Sequence, residues 1–250
     1  MKVQIDELLN SKIFVKENSA VSFKSPKSYL TPFLDIVGPH ATDIRVEIDS
    51  PVINAEESGK QNIAYPRVNV EATIGDQMTG FYSVMGFIFA LNTSTPVMKV
   101  YSGQSVRACL NLTIFNAEDI FEQNLLGNSN EIYNRAQVFF QKKNQQIEEY
   151  GKIYKDLTQK MLTPQGLNDL IGKLLLKGTR SRLGTSPVVG AAKLLLDAKT
   201  TYYTHTGDDF RCSEWNVYNA VTQNITDKED AVSKPNKTIE LAKIIMETNG

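Results

Sequence analysis

The chain has 250 residues, 41% hydrophobic and 22% charged, which is ordinary globular usage with enough apolar material for a sizeable core. Its 27 Lys and Arg against 28 Asp and Glu leave a formal net charge of −1, so any attraction to nucleic acid or a membrane surface has to come from a local patch. Two cysteines far apart in sequence, Cys109 and Cys212, exclude a disulfide framework and fit a reducing compartment.

The opening residues MKVQIDELLN carry Asp6 and Glu7 and no long apolar run, so they do not read as a signal peptide. Residues 1–40 read as an N-terminal arm or extension, and the KSPKSYLTPF stretch within them suits an arm, a strand or a linker equally. Residues 41–250 read as one domain. In IRVEIDSPVI (44–53), Ile44, Val46 and Ile48 alternate with Arg45, Glu47 and Asp49. In RVNVEATI (67–74), Val68, Val70, Ala72 and Ile74 alternate with Arg67, Asn69, Glu71 and Thr73. Period-two alternation places one face of a strand on a core. TGFYSVMGFIFALN (79–92) is richer in aromatics and reads as a strand buried on both faces. Its apolar run of 11 residues at 81–91 falls short of the roughly 20 that a membrane span needs. VMKVYS (97–102) and SVRACLNLTIF (105–115) read as two further strands around Gly103. Short links such as Gly75-Asp76 and Asn92-Thr93 supply turns.

Beyond residue 116 the period changes. Phe139 or Phe140, Ile147, Tyr150, Tyr154, Leu157 and Met161 recur mostly at steps of three and four, as on one helix face, with a kink allowed at Gly151. Thr163-Pro164 and Ser186-Pro187 each place an N-capping hydroxyl before a proline that fits a first helical turn. Ser213 is placed to cap a helix carrying Trp215, and Lys234-Pro235 precedes an amphipathic run with Ile239, Leu241, Ala242, Ile244 and Ile245. The expectation is an α+β protein: an antiparallel, meander-like sheet in the N-terminal half, with strands over about 44–115, followed by a helical C-terminal half over about 117–248.

The main local charge asymmetry lies between Leu170 and Leu196, where five basic residues (Lys173, Lys177, Arg180, Arg182 and Lys193) meet no acid. Within it, LLLKGTRSRLGTSP (174–187) reads as a flexible loop between helices. Cations supply a field, hydroxyls and backbone amides supply donors, and glycine allows close backbone approach to a phosphate. A solvated loop whose cations serve solubility is the competing reading. Thr185 after Gly184 stands where a phosphate-binding P-loop needs lysine. In YYTHTGDDFRCSEW (202–215), His205, Asp208 and Asp209 are close enough in sequence to ligate a cation, but a turn in which the aspartates bond the local backbone explains them as well, and no metal or other cofactor is expected. Cys109 reads as a buried, inert thiol. With only His40 and His205 available and no nucleophile elbow, no catalytic triad is assignable. The single Trp215 reads either as an anchor of its helix on the sheet or as a platform for a base, with Asn216 and Asn219 on one helix face beside it.

Val106, Cys109 and Asn111 in VRACLN, followed at a distance by Trp215, Asn219, Ala220 and Thr222 in EWNVYNAVTQ, resemble a phage- and plasmid-encoded family of unknown function, domain of unknown function 932. The likeness in order spans roughly residues 66–245. It implies a mobile-element setting, and host cytoplasm if the chain is phage-encoded, rather than a reaction. Members often carry an Asn-Gly-type pair after the cysteine and a His-Thr pair before the long helix, where this chain has Asn111-Leu112 and Asn128-Ser129. The resulting expectation is a cytoplasmic, non-enzymatic nucleic-acid-binding protein, with single-stranded DNA favoured, working as an oligomer in replication or recombination. Lys173, Lys177, Arg180, Arg182 and Lys193 would follow the phosphates, and Tyr202, Tyr203 or Trp215 would stack on bases. The alternative is a protein-interaction role, as a host-takeover factor, defence inhibitor or virion component, with a host or phage protein as partner. An enzyme built on His205, Asp208 and Asp209 ranks last.

Overall fold

The computed structural model describes residues 5–9, 26–48, 52–55, 61–64, 67–78, 81–90, 97–106, 112–124, 130–206, 211–228 and 233–247. In chain order the elements are α1 (Ile5–Leu9), α2 (Pro26–Val37), β1 (Ala41–Ile48), β2 (Val52–Ala55), β3 (Gln61–Ala64), β4 (Arg67–Met78), β5 (Phe81–Ala90), β6 (Val97–Val106), β7 (Leu112–Thr113) and β8 (Ile120–Asn124). The second half adds α3 (Asn130–Gln159), β9 (Met161–Leu162), α4 (Pro164–Gly178), α5 (Ser186–Thr206), β10 (Cys212–Ser213), α6 (Glu214–Lys228) and α7 (Lys234–Glu247). The protein is α+β. β1, β4, β5 and β6 form an antiparallel sheet in that spatial order, and β7 and β8 both pair with the free edge of β6. β2 and β3 form a separate hairpin, and β9 pairs with β10. No helix among the described residues is long and apolar enough to cross a membrane.

The alternation in β1 and β4 does what the pattern dictates. Val46, Ile48, Val68, Val70, Ala72 and Ile74 are buried on one sheet face, together with Met85, Phe87 and Phe89 of β5 and Met98 and Val100 of β6. Leu8 of α1, the Tyr29, Leu30, Phe33 and Val37 stripe of α2, and Ile132, Ala136 and Phe139 of α3 cover that face. The KSPKSYLTPF stretch is thus mostly helix, even though Pro32 lies inside it. Burial of Tyr29 and Phe33 against Phe89 and Phe87 outweighs the hydrogen bond forgone at the proline.

Two boundaries differ from the sequence expectation for physical reasons. Gly103 does not break a strand: β6 runs through it, and the glycine allows the close approach of β7, since a Cβ there would lie 2.7 Å from the Thr113 carbonyl oxygen. Residues 117–124 are not α-helical. A single 3-10 turn at Ala117–Asp119 leads into β8, whose Ile120 and Phe121 pair with Tyr101 and Val100 at the open edge of β6.

The opposite sheet face is more polar. Arg45, Glu71, Gly86 and Tyr101 sit side by side across β1, β4, β5 and β6. A Cβ at Gly86 would fall inside the Tyr101 ring, so glycine is what lets that ring lie flat across the sheet. Tyr101 Oη is 3.1 Å from both Asn69 Oδ1 and Glu71 Oε2. The Tyr101 hydroxyl donates toward both oxygens, sharing one hydrogen between the two acceptors. Glu71 is half-buried by surface area, yet its carboxyl sits deep among protein atoms, and that desolvation raises its pKa against the opposing pull of Arg45.

A carboxyl with a raised folded-state pKa gives stability that is complete below the ordinary carboxylate range and lost as pH climbs through the raised value. Glu71→Gln keeps the neutral shape, so its melting temperature is expected to exceed that of the wild type near pH 7, with the gain closing by about pH 3. Melting scans at the two pH values check this, and a gain independent of pH would sink the assignment. Gly86→Ala is expected to destabilise by about 1–3 kcal/mol or more through overpacking on Tyr101, and pairing it with Tyr101→Leu should recover part of the loss.

Candidate nucleic-acid interface

α4 begins as its sequence requires: Thr163 Oγ1 accepts from the Gly166 amide at 3.0 Å and Pro164 occupies the first turn. It buries Leu170 and Leu174 and exposes Lys173 and Lys177. The expected flexible loop is instead a tight turn over 179–185. Thr179 N–H donates to Leu175 O, Arg180 N–H to Lys177 O, and Thr179 Oγ1 to Leu176 O. Ser181 Oγ accepts from the Leu183 amide. Leu183 is fully buried between the helices, with Val188, Ala191 and Leu195 of α5 in the same core.

Two glycines make the turn possible. A Cβ on Gly178 would lie 2.6 Å from the Gly184 carbonyl oxygen, and Gly184 has φ +72°, in the left-handed region where an L side chain is strained. The anchored Leu183 and the close glycine pair hold Arg180 and Arg182 outward on either side of half-buried Ser181. α5 then opens with Thr185 and Ser186 exposed, and its first-turn amides lack intrahelical acceptors.

All five cations of the acid-free segment are exposed. Lys177 is engaged, 2.6 Å from Glu247 at the end of α7, and that contact lowers the Glu247 pKa. Among the described residues, Lys173, Arg180, Arg182 and Lys193 have no ion-pair partner. Between them lie exposed apolar side chains that charge reading alone does not reveal: Leu176 at 62%, Val189 at 45%, Leu194 at 48% and Leu196 at 61%. The signal was present in VVGAAKLLLDA, where apolar residues surround the helix axis and only part of them can face the core.

Trp215 is elsewhere. Its ring meets Tyr154 edge-on at 4.9 Å and Phe81 at 5.6 Å, and stacks on Tyr218 at 5.5 Å. Among the described residues these partners belong to α3, β5 and α6. Asn216 Oδ1 accepts from both the amide and the hydroxyl of Ser213, which ties the start of α6 to β10. This geometry is that of a helix anchor. The neighbouring aromatic cavity, lined by Phe81, Gln104, Thr113, Phe115 and Tyr150 among others, holds about 50 Å³, room for water rather than a base.

Tyr202 and Tyr203 lie in the last part of α5, with side chains outside the described residues, as is that of His205. Asp208, Asp209 and Cys109 also lie outside them. Among the described residues no cluster of three His, Cys, Asp or Glu side chains is placed to hold a metal.

Comparison of the chain with protein-family models, with curated proteins and with solved structures finds no match.

Gly178→Ala is expected to push Gly184 and the turn away from α4 and to lower the melting temperature, since backbone is what the new methyl meets. Proteolysis of the folded variant should show new cleavage after Arg180 or Arg182. An unchanged melting curve and digest would mean that the close glycine contact does not hold the turn.

Proposed function

We propose that the chain is a non-enzymatic nucleic-acid-binding protein of the phage or plasmid type, contacting phosphates through the α4–turn–α5 surface. The observation that carries this reading is the set of four exposed cations, Lys173, Arg180, Arg182 and Lys193, that have no acidic partner among the described residues and lie on the turn and the two helices flanking it. A near-neutral protein binds a polyanion only where its own acids are kept away, and the segment from Leu170 to Leu196 has none. Single-stranded DNA is the favoured form, since the cations spread over α4, the turn and α5 suit a pliable phosphate backbone, and α5 carries Tyr202 and Tyr203 beyond them. Trp215, packed against Phe81, Tyr154 and Tyr218, has no part in this contact.

A protein-interaction role is the second reading, favoured by the exposed Leu176, Val189, Leu194 and Leu196 on α4 and α5. A second copy of the chain or a host or phage protein would cover them.

Fluorescence anisotropy of labelled single-stranded DNA, titrated at several salt concentrations, separates the two. Binding should weaken steeply with salt. Replacing Lys173, Arg180, Arg182 and Lys193 by Gln should lower affinity at least tenfold and flatten the salt slope by about 0.7 for each phosphate no longer neutralised. Glu247→Gln, which releases Lys177, should tighten binding. Absence of binding at low salt, or a slope unmoved by the four substitutions, would remove the nucleic-acid reading. Light scattering that shows an oligomer dispersed by Leu194→Ser and Leu196→Ser would then favour the second.

A further inference from the structure

A cleft of about 480 Å³ lies between α3 and the segment formed by the 3-10 turn and β8, with β6 at its floor. Small-molecule sites occupy roughly 300–1,000 Å³. Its helix wall is one stripe of α3 that includes Arg135, Phe139, Lys142 and Gln146, spaced so that all face the same way.

The two ends of the cleft differ in chemistry. At one end the Arg135 guanidinium lies 5.1 Å over the Phe121 ring, which holds its planar fork in place. Lys142 follows two turns along the helix, about 10 Å by helical rise and one turn before Gln146, so it stands between this end of the cleft and the other. Among the described residues neither cation has an acidic partner.

The other end is built from acceptors and buried polar groups. Asp119 Oδ2 accepts from Tyr150 Oη at 2.8 Å, and that hydroxyl is fixed in turn by accepting from the Phe115 amide. Gln146 Nε2 donates to Ser102 Oγ at 2.9 Å, and both side chains are more than nine-tenths buried. A carboxylate offers about four lone-pair positions, so Asp119 retains acceptor capacity toward the cleft.

We propose that this cleft binds a small phosphate monoester, its dianion held between Arg135 and Lys142 and a hydroxyl or amino group of the same molecule donating to Asp119. Two unpaired cations match one monoester, which carries about −1.5 to −2 charge at pH 7, and arginine holds phosphate through paired hydrogen bonds. The acidic end argues against a polymer. Glu118 and Asp119 line the cleft and would repel further phosphates of a strand, and Gln146 and Ser102, joined by a hydrogen bond, line it as well. The ligand is therefore a monomer, and the site is separate from the α4–turn–α5 surface.

Calorimetric titration of the full chain with adenosine 5′-monophosphate and with glucose 6-phosphate tests the assignment, with adenosine and inorganic phosphate as controls. At least one monoester should bind saturably, adenosine should not, and inorganic phosphate should bind at least several-fold more weakly than the ester. Arg135→Gln and Lys142→Gln should each cost tenfold or more in affinity without moving the melting temperature, because both side chains are exposed. Arg180→Gln with Arg182→Gln should leave monoester binding unchanged, which separates this site from the nucleic-acid surface. No monoester binding at millimolar concentration, or affinity indifferent to Arg135 and Lys142, would overturn the proposal. Inorganic phosphate binding as tightly as the esters would overturn the role of Asp119.

Discussion

The structure depends on one helix serving two cores. α3 runs 30 residues, about 45 Å at helical rise, and contacts the sheet along its first half and the helical assembly along its second. Ile132, Ala136 and Phe139 belong to the core under α2, whereas Tyr150 and Leu157 belong to the core of α4, α5, α6 and α7. A rigid rod with two sets of obligations has to be fixed in rotation and in translation. Polar contacts do this between the two apolar sets: Gln146 to Ser102, and Tyr150 to both Phe115 and Asp119. Each is buried enough that removing a partner would leave an expensive unsatisfied group, so the register of α3 on β6 is specified rather than merely favoured. Arg135 and Lys142 inherit their positions on the cleft from that register.

The sheet shows how far period-two reading goes. β1 and β4 announce themselves through alternation, and β5 through apolar residues at nearly every position, since its second face also packs, on Ile239, Leu112 and Ile114. Their polar partners on that second face are informative only in three dimensions. Asn69, Glu71 and Thr73 read as solvent-facing, yet Asn69 and Thr73 are buried and Asn69 and Glu71 meet the Tyr101 hydroxyl. The signal that the face would be covered lay in Gly86 and Tyr101, which become neighbours only after β5 and β6 pair. Gly103 misled for a related reason. A glycine in a strand can mark a turn or a close approach, and only the position of Thr113 decides between them. β8 escaped notice because five residues with two apolar ones carry too little pattern, and the free edge of β6 supplies what the sequence lacks.

The helical half was more legible because its punctuation is local. Thr163-Pro164, Ser186-Pro187, Ser213 and Lys234-Pro235 each stand at a helix start. Cap chemistry is settled within four residues and needs no distant partner. The ends of helices are less local. The α4–α5 turn looks flexible by composition, but its shape is set by Leu183 reaching the core and by Gly178 touching Gly184. The Lys177–Glu247 pair joins residues 70 apart, and no sequence pattern foreshadows it. Likewise the packing of Trp215 depends on Phe81 and Tyr154, which come from β5 and α3.

The exposed α4–turn–α5 surface combines two kinds of attraction with opposite responses to salt. Cations draw a polyanion quickly and lose their hold as ionic strength rises, whereas exposed leucines keep their contribution. Lys177 does not neutralise the patch, because an exposed ion pair with Glu247 is readily exchanged for a better anion. A strand bound by phosphates alone would leave the exposed side chains of Leu176, Leu194 and Leu196 in water. If nucleic acid occupies the cations, the leucines are free to contact the exposed faces of unstacked bases or a second copy of the chain on the same strand. Either arrangement makes binding less salt-sensitive than the cation count alone would dictate. The salt slope therefore reads the division of labour on this surface more directly than the affinity does.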